Sequence, residues 1–333
     1  MKGRVFALVP FLVAAWISAA SATVSIQEYD IPTPASFPHD PAVGPDGSLW
    51  YTGMRSNMLG RLDPKTGKIR EYPIKTPESG LHGLAADKDG NIWFTASYKG
   101  YIGKLDPATG QVTEYPMPDP GARDPHTPAF DGKGILWFTV QSGNFVGRLD
   151  PETGKITLIR PPTAGARPYG IVVDAKGIPF FCEFGTNRIG RIDPATMTIT
   201  EYRLPEGARP RRLAVAPDGL VYYTDYSRGY LGRLEPDSGK TEEWPSPGGK
   251  GSKPYGIAVG TIGEVWYSES GPEPNTIVMF DPKTKAFSRW AIPSGGKVIR
   301  HMAAAPSGDI FIACSGANKV GIVNTGLART NGK

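Results

Sequence analysis

Three of the four histidines in this 333-residue chain, His39, His82 and His126, each stand eight residues ahead of a turn glycine, at Gly47, Gly90 and Gly134. The same offset before Gly177, Gly219, Gly263 and Gly308 gives Tyr169, Arg211, Tyr255 and Arg300, and the fourth histidine, His301, is adjacent to the last. Six residues after those glycines come Gly53, Ala96, Val140, Glu183, Asp225, Glu269 and Cys314. Imidazole titrates near neutral pH and can take or give a proton. Carboxylates on neighbouring repeats can hold a hard cation through oxygen.

Three chemistries therefore stay open. Glu183, Asp225 and Glu269 could bind Mg²⁺ or Ca²⁺. They could instead pair with Arg167, Arg209, Arg211, Lys253 and Arg300 in a structural charge network. Or one histidine and one carboxylate could act as an acid–base pair, with His39, His126 or His301 as base and Glu269 as the acidic partner. His82 and His126, taken singly, also read as side chains hydrogen-bonded to a neighbouring repeat. Tyr169, Tyr255, Arg211, Arg300, Arg167 and Arg209 make the candidate substrate-binding set, and the arginines would attract an anionic group. Cys314 would face the same space, but no flanking base marks it as a nucleophile. Nothing resembling a Walker, GxGxxG, GxSxG, HExxH or CxxC motif occurs.

The elements that must position these residues are written as a repeat. The turns at Asp63-Pro64, Asp106-Pro107, Asp150-Pro151, Asp193-Pro194, Glu235-Pro236 and Asp281-Pro282 recur at a period of about 43 residues. Each period holds four short strands: an opening strand, a run such as Ile92-Trp93-Phe94-Thr95, a Gly-Arg-Leu strand, and a strand ending in Glu-Tyr. Asp caps the turn, Pro presets φ and Gly accepts a positive φ. Four antiparallel strands per period predict an all-β, seven-bladed β-propeller. The last copy lacks its fourth strand, and Ser25–Pro32 has the form of one. The N-terminal strand should therefore complete the last blade and close the ring, leaving no open sheet edge. The stereotyped turns then lie at one end of the ring. Both sets of chemical residues, Cys314 included, would converge on the central channel at the other end, among the variable loops.

Residues 1–22 read as a secretory signal peptide: Lys2 and Arg4, an apolar stretch from Val5 to Ile17, then Ala20-Ser21-Ala22. The propeller is expected over residues 23–326 and a short tail over 327–333. The mature chain should be periplasmic or secreted and monomeric, without membrane insertion once the leader is cut. Net charge is +5, but Lys and Arg are scattered among Asp and Glu, so no nucleic-acid footprint is visible. Cys182 and Cys314, three blades apart, should be free buried thiols.

The chain resembles the virginiamycin B lyase family through Arg167-Pro168-Tyr169-Gly170-Ile171, Trp93-Phe94-Thr95 and Ile189-Gly190-Arg191-Ile192-Asp193. The resemblance spans residues 24 to 326. It implies a seven-bladed propeller and a Mg²⁺-dependent elimination that opens the ester of a cyclic depsipeptide without water. The histidines that open the family's last two blades, serving metal and base, are matched here by Tyr255 and Arg300, while Glu269 keeps the family's glutamate. His301 is one residue out of register, reaching the channel if its strand is bulged. The ligand expected is a small molecule. Two other functions remain open: a non-catalytic propeller binding a partner or ligand, and a lactone hydrolase similar to the gluconolactonase-type propellers.

Overall fold

The computed structural model describes residues 24–327. The expected leader and the tail beyond Leu327 lie outside the described residues. The chain forms seven four-stranded antiparallel sheets, six of them in simple sequence order. The seventh runs Ser25–Asp30, Lys319–Asn324, Ile310–Cys314, Ile299–Ala304, so the N-terminal strand completes the last blade as expected. Its register pairs Ile26 with Val323 and Tyr29 with Val320. Asn318 fastens this closure, accepting from the Ser36 amide and donating to the carbonyls of Ile31 and Thr33.

Each recurring residue has a local physical task. In blade 2 the Asp87 carboxylate accepts from the Asn91 amide and from Trp93 Nε1, which locks the Asp-Gly turn onto the core tryptophan. Asp131 and Trp137 repeat this in blade 3. Gly103 pairs with Phe94, and a Cβ there would fall 2.1 Å from the ring, so the third-strand glycine is what lets the aromatic lie flat. The threonine of the Trp-Phe-Thr run joins one blade to the next. Thr95 Oγ1 accepts from the Gly83 amide of its own blade and donates to the His126 carbonyl of the following one. Thr52 and Thr224 do the same toward His82 and Tyr255. Cys182 and Cys314 are free and buried.

The inner strands Pro38–Val43, Leu81–Ala86, Pro125–Phe130, Pro168–Val173, Pro210–Val215, Pro254–Val259 and Ile299–Ala304 all carry a register shift near their start. A bulge sets two residues against one on the partner strand and re-aims their side chains. Two successive positions per blade are thereby gathered around the axis.

Candidate functional site

The first of those positions is the ring read from the sequence: His39, His82, His126, Tyr169, Arg211, Tyr255 and Arg300. Four of its side chains follow one another in a staircase of tilted rings, His39 against His82 at 3.7 Å between centroids, His82 against His126 at 3.7 Å, and His126 against Tyr169 at 3.9 Å, with interplanar angles of 46°, 45° and 51°. The Tyr169 and Tyr255 hydroxyls share a short hydrogen bond across the ring. His126 Nδ1 lies 2.9 Å from Thr127 Oγ1, whereas His82 Nδ1 has no partner. Neither ring therefore makes the inter-blade hydrogen bond considered for it. That task belongs to their backbone carbonyls.

The second position was not legible from the spacing. It holds Asp40, Gly83, Thr127, Gly170, Arg212, Gly256 and, because its strand is bulged, His301. Arg212, 1% exposed, reaches across the channel from blade 5 to Asp40 of blade 1. One terminal nitrogen donates to both Asp40 oxygens at 2.8 and 3.0 Å, the other to Thr127 Oγ1, and Nε to the Arg300 carbonyl. The glycines leave the room: a Cβ on Gly170 would stand 3.0 Å from the Arg212 Cα, and one on Gly83 2.2 Å from the His126 carbonyl. The signal was present as Pro-His-Asp, Pro-Tyr-Gly and Pro-Arg-Arg at one offset, but only the bulge turns the third residue inward.

Protonation follows from this burial. Desolvation, with the Arg300 and Arg212 charges adding to it, pulls His39 down to about 4 despite its hydrogen bond to Asp40. His301 falls to about 3 through desolvation and the Arg212 charge, and burial holds His82 and His126 well below the usual imidazole range. All four are neutral at pH 7. Burial alone would raise Asp40, but Arg212 and His39 hold it well below the carboxylate range.

The three carboxylates of the other set turn away from the channel. Strand side chains alternate, and Asp225 and Glu269 sit one step beyond Thr224 and Ser268, which form the inter-blade clamp, with Glu183 at the same strand position in blade 4. Asp225 Oδ1 accepts from the amides of Arg209, Ser227 and Arg228. Glu269 accepts from Ser246, the Gly248 amide and Thr276. Glu183 accepts from Thr186, and its second oxygen is buried without a partner; desolvation raises it to about 8. Cys314 likewise points away from the channel, with Sγ 3.4 Å from Glu28 Oε1 on the N-terminal strand, which corrects its expected position. Arg167 is exposed, and Arg209 folds back on the Ala208 carbonyl.

A hard divalent cation fits neither set. Asp225 and Glu269 are spent separately in their own loops, and Glu183, held through one oxygen by Thr186, does not converge with them. Among the described residues one group of metal-ligating type converges, His39, Asp40 and His82, with ligand atoms within 4.8 Å of one another. Its carboxylate is already bound by Arg212, and two imidazoles beside a guanidinium are not the oxygen donors that Mg²⁺ or Ca²⁺ takes.

The mouth's other half is aromatic. Phe184, Tyr226, Tyr255 and Tyr169 surround Arg211, whose guanidinium carbon lies 4.7, 4.3, 3.9 and 5.0 Å from their ring centroids. Arg300 stands over Phe37 at 5.2 Å and Tyr255 at 5.9 Å. Phe184 and Tyr226 directly follow Glu183 and Asp225, a pairing that carried no signal in the sequence.

The virginiamycin B lyase family model matches residues 12–177 and 131–329, so the chain belongs to that family. A virginiamycin B lyase from Saccharopolyspora erythraea is 44% identical over 46 residues, a match spanning 14% of this chain and 15% of that relative. A solved streptogramin B lyase superposes with a TM-score of 0.83 at 27% identity, covering 92% of this chain and 99% of its own. A catalytically inactive histidine-to-alanine variant of the Staphylococcus aureus virginiamycin B lyase, solved with quinupristin, superposes at 0.82 with 25% identity, covering 90% and 99%.

Proposed function

We propose that this member of the virginiamycin B lyase family is exported and opens a small cyclic ester by elimination at the mouth of its channel. The observation that carries the reading is the His39–Asp40 pair, 2.9 Å from Nδ1 to Oδ1 and buried at the head of the staircase. A carboxylate that accepts from Nδ1–H fixes the tautomer and leaves Nε2 as a free proton acceptor. Arg212 holds that carboxylate in place, so Asp40 and Arg212 are positioning residues. The N-terminal basic residues and apolar run support export.

In the proposed reaction His39 Nε2 takes the proton α to a carbonyl. The electron pair forms a carbon–carbon double bond, the ester C–O bond at the β-carbon breaks, and the ring opens with a carboxylate as leaving group. No water is consumed. Of the two phenols joined at Tyr169 and Tyr255, one donates to the other, which leaves one O–H free to donate to charge developing on the substrate. No step is assigned to a divalent cation, because the donors at hand do not suit one.

The test is product mass. Full-length protein, freed of its leader by secretion, is incubated with cyclic depsipeptide lactones in ¹⁸O-water. An opened product of unchanged mass supports elimination. A product heavier by one labelled water identifies a lactone hydrolase instead. Intact substrate across the panel favours a non-catalytic binding propeller.

A further inference from the structure

The mouth holds more positive charge than the protein neutralises. Three guanidiniums gather there, Arg211, Arg212 and Arg300, and the neighbouring imidazoles are neutral. Asp40 takes up Arg212. Among the described residues neither Arg211 nor Arg300 pairs with a carboxylate, and Nε of each is buried without a hydrogen-bond partner. Half-buried guanidiniums stacked on aromatic rings gain something from the π-faces, but that does not replace a counter-ion.

The aromatic box also fixes geometry. Four rings hold the Arg211 plane, and a planar fork whose orientation is set by packing is prepared for bidentate pairing with a planar oxyanion. Arg300 flanks the same Tyr255 ring from farther out, so the two cations address one space. A tetrahedral dianion would want additional donors, yet those of Arg212 are spent on Asp40, Thr127 and the Arg300 carbonyl. Carboxylate suits what remains.

We propose that Arg211 and Arg300 clamp a carboxylate-bearing small ligand at the channel mouth, with the Tyr169–Tyr255 phenols and the Phe184 and Tyr226 rings as its walls. The inference rests on the mouth being a ligand site, not on elimination taking place there. Saturable carboxylate binding without ester turnover would remove the reaction and leave the clamp. Turnover of a neutral lactone without carboxylate binding would do the reverse.

Isothermal titration of the secreted protein at low ionic strength, with benzoate, succinate, inorganic phosphate and chloride as separate probes, tests it. The expected result is saturable binding of a carboxylate, weakened at least tenfold by Arg211→Gln and by Arg300→Gln. Arg203→Gln, on an exposed outer strand, should leave it unchanged. Arg211→Lys, which keeps the charge but loses the fork, should not restore it. Should Arg211→Gln lose its near-UV circular dichroism, Arg300→Gln and Arg211→Lys still decide the matter. Phosphate bound more tightly than both carboxylates would overturn the ligand class. Equal heats in wild type and variants, or chloride matching benzoate, would overturn the site.

Discussion

Replacing Asp40 by Asn tests the cross-channel lock. The wild-type pair is buried on both sides, at 1% side-chain exposure each, and joins blade 1 to blade 5. Asn keeps the shape but strands a guanidinium that cannot shed its proton. Breaking a buried pair in this way costs about 3–5 kcal/mol, because the surviving charge has no counter-ion. Arg212→Met should cost less per charge removed, since a stranded Asp40 can neutralise itself by taking up a proton, although the bonds to Thr127 and the Arg300 carbonyl are also lost. The double variant Asp40→Asn/Arg212→Met should therefore be more stable than the sum of the singles implies, with a coupling of about 0.5–3 kcal/mol. Urea unfolding at pH 7.5, followed by tryptophan fluorescence and extrapolated linearly, measures all four corners. An Asp40→Asn cost below about 1 kcal/mol, or strictly additive singles, would refute the argument that the pair is a fully desolvated tie between blades.

Other outcomes follow from the same contacts. Thr95→Val, isosteric but unable to bond, should destabilise by about 1–3 kcal/mol by leaving the Gly83 amide and His126 carbonyl unpaired, and its urea midpoint should fall accordingly. Because the buried histidines stay neutral down to about 4 or 3 while an unfolded histidine protonates near 6.5, stability should be lost as pH falls from about 6.5 toward 4. Glu183 has the opposite sign: its folded form keeps a proton up to about 8, so its contribution is present in full below about 4.5 and is lost progressively as pH rises from there to about 8. Glu183→Gln should remove the part of the stability change between about 4.5 and 8 that this carboxyl causes and leave the histidine-driven loss toward 4. EDTA, followed by millimolar Mg²⁺ or Ca²⁺, should not move the melting temperature; a cation-dependent rise abolished by Glu269→Gln would restore the carboxylates as metal ligands.

The fold was readable because each repeated residue performs one short-range task wherever it recurs. Asp with Trp locks a turn, Gly makes room for a ring, and Thr clamps the next blade, so the spacing alone carried the architecture. The missing fourth strand of the last copy likewise specified the N-terminal closure, since an unpaired edge has one natural complement. The site was half readable. His39, His82, His126, Tyr169, Arg211, Tyr255 and Arg300 share a ring as their common offset implies. What the offset could not convey was the bulge, which brings Asp40, Thr127, Arg212 and His301 inward one residue later. Nor could composition show that Glu183, Asp225 and Glu269, although on adjacent blades, turn into separate loops by strand alternation. Their concentration in blades 4 to 6 looked like a ligand set, but Asp225 and Glu269 are satisfied locally and Glu183 stands apart from both. Phe184 and Tyr226 gain meaning only through Arg211, a contact between blades that no local pattern encodes.

The most direct test of the elimination reading follows the proton that His39 is proposed to take. A cyclic depsipeptide lactone carrying deuterium at the α-carbon would be opened by the wild-type protein and by His39→Ala, with the product read by mass spectrometry. The expected product has exchanged its deuterium for a solvent proton, so it is one mass unit lighter than the labelled substrate, and it has gained no water. Opening should be slower for the labelled than for the unlabelled lactone, and slower by at least a hundredfold in His39→Ala, about the contribution of one positioned general base. A product that keeps its deuterium, or equal rates for wild type and His39→Ala, would contradict it.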